Sequence, residues 1–96
     1  MIYLVDGDNL LGTWPGRTRS ACEKQRLAAE LDGRAVVVFD LPGRSADDAI
    51  LAALRREPNP AEWTVVTSDR SLSDRCRSLG ASTERSHEFR RRLSVR

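Results

Sequence analysis

Six aspartates stand where a carboxylate can do more than solvate a surface. Asp6 and Asp8 follow the apolar run Ile2 to Val5, Asp40 follows Ala35 to Phe39, and Asp69 follows Trp63 to Val66 by way of Thr67-Ser68. Asp47 and Asp48 fall where a helix begins. Several carboxylates within a few ångströms of one another cannot all stay ionised unless a cation is present. Mg2+ or Mn2+ prefers oxygen ligands and keeps several waters, so a few aspartates and the side-chain carbonyl of Asn9 would suit it. Beside a phosphodiester, such a metal lowers the pKa of an attacking water, orients it and stabilises the leaving oxygen. The sequence offers no other obvious catalytic apparatus. Its one histidine, His87, lies near the basic C-terminus, and neither G-x-S-x-G nor a P-loop occurs.

The elements that would have to gather these acids can be read along the chain. Ile2 to Val5 is a strand that runs into the turn-forming Asp6-Gly7-Asp8-Asn9, and residues 12–19 form a loop. Ser20 caps a helix that reaches about Leu31 and stops at Asp32-Gly33. Ala35 to Phe39 is apolar throughout, the pattern of a strand covered on both faces. Ser45 and Asp48 form a capping pair, and Pro58-Asn59-Pro60 ends the helix they open. Trp63 to Val66 is the third strand, followed by a helix that Gly80 stops, a short strand over Ala81 to Thr83, and a basic helix capped by Ser86. Strands alternating with helices over short loops imply an α/β fold with parallel pairing. Ligands bind such sheets at the carboxyl ends of the strands. Asp6, Asp40 and Asp69 lie at three of those ends, and Asp47 and Asp48 start a helix facing the same edge.

Taken singly, each acid has a plainer explanation. Asp6 to Asn9 reads equally as a turn closed by its own side chains, Asp47 and Asp48 as complements to a helix dipole, and Asp69 as a cap. Turns and caps alone do not demand an acid at every strand end, so the set favours metal binding. Trp14 sits in a Gly/Pro loop with Arg17 and Arg19, and a stacking ring beside two guanidinium groups suits single-stranded RNA; a ring folded onto the core is the alternative. Arg90-Arg91-Arg92 reads as a solvated helix face.

Ninety-six residues suffice for one core and not for two, so residues 1–96 are expected to form a single domain. With 40% apolar and 31% charged residues, the chain is expected to be globular rather than disordered throughout. The apolar runs are too short to span a bilayer, and no basic-then-apolar leader precedes the first strand, so a cytoplasmic protein is expected. Cys22 and Cys76 match neither a zinc nor a redox spacing and read as buried or partly buried free thiols. The net charge of +2 hides a partition: setting aside the six clustered aspartates leaves sixteen basic against eight acidic residues. An acidic spot on a basic body suits a metal site acting on a polyanion.

IYLVDGDN, VVVFD, SADDAI, VVTSD and GASTERSHEF resemble, in order and spacing, the NYN domains of the PIN-like nuclease superfamily, the YacP-like bacterial proteins above all. The resemblance runs over nearly the whole chain. It implies a PIN-like three-layer sandwich, with a mostly parallel sheet of four to five strands, helices on both faces, bound Mg2+ or Mn2+, and endoribonuclease activity on RNA. Asp6 and Asn9 match the first motif, Asp40 the second strand end, Asp47 the first acid of ADD, and Asp69 the acid of TSD. Asp6, Asp47 and Asp69 would then be core metal ligands, with Asp40 and Asn9 as outer ligands or orienters. Relatives carry a longer stretch before the ADD motif, where only Leu41 to Ala46 intervenes here, and a bulkier residue in place of Asp8. A receiver-type phosphorylation domain, which also carries acids at strand ends, would need a lysine near its last strand, and the sole lysine is Lys24. The rival reading is an RNA-binding adaptor that keeps the fold without turnover. A homo-oligomer or a protein partner stays open; for a toxin-like nuclease with a protein partner the sequence offers no separate sign.

Overall fold

The computed structural model describes residues 2–94, and in them strands and helices alternate as the sequence requires. Strands β1 (Ile2–Asp6), β2 (Ala35–Val38), β3 (Trp63–Val66) and β4 (Ser82–Glu84) form one sheet in the order β2-β1-β3-β4, each neighbouring pair parallel. The helices are α1 (Gly7–Gly12), α2 (Ala21–Glu30), α3 (Ala46–Arg56), α4 (Arg70–Ser78) and α5 (Ser86–Ser94), with a 3-10 turn at Pro60–Glu62.

Successive residues of a strand point to opposite faces, and the central strands use both. Leu4 and Val65 enter a core with Ile50, Leu51 and Leu54 of α3 and Leu72 and Cys76 of α4. Val5 and Val66 enter another with Leu10 and Leu11 of α1, Leu27 of α2, Leu31, and Phe89 of α5. The result is a three-layer sandwich of PIN-like form with helices on both faces. Ser20 and Ser45 cap α2 and α3 by accepting from the backbone N–H groups of Glu23 and Asp48, and Gly80, at φ 98°, turns the chain out of α4. Among the described residues no helix is long and apolar enough to cross a membrane.

Four local expectations need correction. Asp6 to Asn9 is the start of α1 rather than a free turn, with Asp6 as its N-cap. Six residues that begin and end with glycine are too short to show a helical period, yet Leu10 and Leu11 are fully buried. Strand β2 is not covered on both faces: it is the sheet edge, and Val36 remains 50% exposed. Ser86 lies inside α5, and its hydroxyl is spent elsewhere. Cys76 is buried as expected, but Cys22 is exposed on the outer side of α2.

Candidate active site

The strand order reverses between β1 and β3. From β1 the chain moves outward to β2, and after β3 it moves the other way to β4, which opens a crevice beyond the carboxyl ends of the two central strands. Asp6 lies there, only 6% exposed. Its Oδ1 accepts the Asn9 N–H at 3.5 Å, and its Oδ2 accepts the Thr67 hydroxyl at 3.1 Å. Thr67 Oγ1 in turn accepts the Asp69 N–H at 3.2 Å. Asn9 Oδ1 accepts both the Ser68 N–H at 2.9 Å and the Ser86 hydroxyl at 2.6 Å. The Asn9 carbonyl is therefore committed to the protein, and what it can offer a ligand is its NH2 group, a donor suited to a phosphate oxygen.

The second strand brings a further set. Asp40 Oδ1 accepts the Ala46 N–H at 2.7 Å and so fixes the start of α3, where Asp47 sits. The Asp40 N–H donates to Asp8 Oδ2 at 2.8 Å, and Lys24 Nζ pairs with Asp8 Oδ1 at 3.1 Å. Asp8 is thus a neutralised brace for Asp40. Gly7 leaves the room beside it that the Phe39 ring takes, where a Cβ would collide with the ring. Asp6, Asp8, Asn9, Arg19, Asp40 and Asp47 together line a cleft of about 220 Å3.

Charge accumulates in this cleft without full compensation. Burial pushes the Asp6 carboxyl up to about 6, against hydrogen bonds from Thr67 and Asn9 that lower it, and Asp47 and Asp40 push it further up. Asp47 is also raised, chiefly by burial and then by Asp69, Asp40 and Asp48, with Arg75 opposing. Asp69 is near enough to act on Asp47, but its Oδ1 accepts the Ser71 and Leu72 N–H groups as the cap of α4. Among the described residues no group of three His, Cys, Asp or Glu side chains is placed to hold a metal ion directly. A hydrated Mg2+ needs only one or two carboxylates and completes its shell with water and phosphate oxygens. The oxygen donors of Asp6 and Asp47, which repel each other, could serve such an ion.

Of the residues expected to meet RNA, the structure brings Arg19 to the cleft and leaves Trp14 and Arg17 out of its lining. The Arg17 guanidinium stacks over Trp14 at 4.6 Å and pairs with Glu23 at 2.8 Å and Glu30 at 3.2 Å, while Trp14 packs against the core around α1 and α2. The charge of Arg17 is already satisfied by its own protein. Arg17→Ala is expected to destabilise the fold by roughly 1–2 kcal/mol through lost stacking and ion pairs and to leave the salt dependence of RNA binding unchanged. A reduced salt slope, measured by fluorescence anisotropy, would return Arg17 to the RNA path. Arg92 lies on an exposed face as expected, and there it also donates to Glu84 and to the Tyr3 hydroxyl. Sequence reasoning missed the roles of Thr67, Ser68, Ser86, Lys24 and Asp8. Only Thr67-Ser68, polar residues directly after an apolar strand, left a signal.

Fold and cleft together define a parallel α/β sandwich with an acidic switch-point site. No protein-family description matches the chain, and no curated protein sequence does. Among solved structures, the chain is similar to Rae1 (YacP) from Bacillus subtilis, crystallised as a tryptophan-to-leucine mutant. The TM-score is 0.78 at 24% identity, over 98% of this chain and 75% of that one. A YacP-like structural relative thus shares the fold.

Proposed function

We propose that the chain is a divalent-metal-dependent endoribonuclease that works at the cleft of Asp6, Asp40 and Asp47. The observation that carries this reading is a buried carboxyl, Asp6, held near pKa 6 by burial and by two further acids, with no cation among the groups that act on it. Purely structural caps and turns would not maintain that repulsion. Asp6 and Asp47 would hold a hydrated Mg2+ or Mn2+, with Asp69 joining through water; the ion would supply an activated water and stabilise the leaving oxygen.

The chain's own residues have separate tasks. Asp40 orients the start of α3 and with it Asp47, while Asp8 and Lys24 keep Asp40 in place. The NH2 of Asn9 and the guanidinium of Arg19 face the space a phosphate would take, the first as a neutral donor and the second as a forked cation. Thr67 holds the Asp6 carboxylate through its hydroxyl.

The deciding experiment incubates the protein with mixed-sequence RNA in Mn2+, in Mg2+ and in EDTA. Cleavage in either metal and none in EDTA is expected. Intact RNA in all three, together with measurable RNA binding, would replace this reading with that of a binding adaptor.

A further inference from the structure

A second hollow, of about 420 Å3, opens on the same edge of the sheet, between α4 and α5 and to one side of the acidic cleft. Thr67 and Ser68 form the wall between the two: Thr67 bonds to Asp6 on one side, and both residues line the hollow on the other. Arg70, the first residue of α4, and Arg85, directly after β4, both line it.

The pairing of charges decides what this hollow can take. Of its acids, Glu84 is held by Arg92 and Asp74 by Arg77, which leaves Glu88 against two arginines. Among the described residues neither the Arg70 nor the Arg85 guanidinium has an ion pair or hydrogen-bond partner, in contrast to those of Arg17, Arg77 and Arg92. Ser68, whose oxygen accepts the Ser86 N–H, keeps its hydroxyl hydrogen to donate. Two forked cations and a hydroxyl match the tetrahedral oxygens of a phosphate. The acidic cleft lies at the ends of β1 and β2 and the hollow at the ends of β3 and β4, so their centres are about two strand spacings, roughly 10 Å, apart, the reach of a phosphate one or two along a strand held in the cleft.

We propose that Arg70 and Arg85 bind a backbone phosphate of the RNA strand whose reactive bond lies in the acidic cleft, so that the strand crosses the sheet edge from β1 towards β4 over Thr67 and Ser68. This inference rests on the nuclease reading.

The test measures anisotropy of a labelled single-stranded RNA of mixed sequence, in EDTA and across a range of salt, with the full chain. Arg70→Ala/Arg85→Ala should bind roughly tenfold more weakly at low salt, and the slope of log K against log salt should shrink by about 0.7, the share of one phosphate on a single strand. Arg55→Ala/Arg56→Ala removes the same charge at the far end of α3 and should bind as the parent does. Thermal melts confirm that both variants are folded. A parent-like slope in the Arg70/Arg85 variant, or an equal loss in both variants, overturns the inference and leaves the nuclease reading intact. A parent chain that binds no RNA at low salt overturns both.

Discussion

In Mn2+, Asp47→Asn is expected to slow RNA cleavage by roughly a hundredfold or more, the scale on which one preorganised electrostatic group acts in catalysis. The same substitution should raise the melting temperature in EDTA. Asp47 gains about 0.3–1 kcal/mol from the positive end of α3, but burial and three neighbouring carboxylates outweigh that gain, as the upward direction of its pKa records. An amide of the same shape removes the repulsion and leaves Ser45 to cap the helix. Metal should stabilise the parent by mass action, about 2.7 kcal/mol when Mn2+ stands a hundredfold above its Kd. For a domain this small that is about 11–22 °C, and the variant should show little of it. Identical melts of both proteins with and without Mn2+ would mean that Asp47 is only a helix-end charge.

Asp6→Asn should have the larger effect on stability. The folded Asp6 carboxyl titrates near 6 and an unfolded aspartate near 3.8, so between those values the folded chain holds the extra proton. Stability therefore falls as pH rises from about 4 to about 6, and the deficit stays constant above that window. A shift of about two units corresponds to roughly 3 kcal/mol, less whatever the amide loses. The introduced amide can still accept the Asn9 N–H and can donate to Thr67 Oγ1. In metal-free urea melts the variant should be about 2 kcal/mol more stable than the parent near pH 7.5. Near pH 4, where the folded parent is protonated, the two should converge. A variant less stable than the parent at both pH values would show that the carboxylate is favourably solvated, and the argument for a destabilising acidic cleft would fail.

Much of this site is legible in the sequence because one rule places it. Parallel strands deliver their following residues to one edge, so Asp6, Asp40 and Asp47 could be grouped before any coordinates, and the caps at Ser20 and Ser45 follow from residue type alone. The failures share a cause as well. Whether a polar atom is free or already bonded depends on partners far away in sequence. Nothing near Asn9 reveals that its oxygen is taken by Ser68 and Ser86, and nothing near Arg17 reveals Glu23 and Glu30. Helix α1 escaped because its burial comes from tertiary contacts rather than a visible period. The even apolarity of β2 suggested cover on both sides, yet Val36 is left open at the edge.

The Asn9 junction also bears on when the site comes into being. Its oxygen joins residues 59 and 77 positions apart, tying the first strand–helix turn to the loop after β3 and to α5. All strand pairs are parallel and of long sequence separation, a topology that folds slowly because distant segments must meet first. During synthesis the wall between the two hollows cannot be locked until Ser86 has emerged. A growing chain therefore carries every acid of its cleft before the Ser86 hydroxyl can close the Asn9 junction, and completion of the cleft waits on α5.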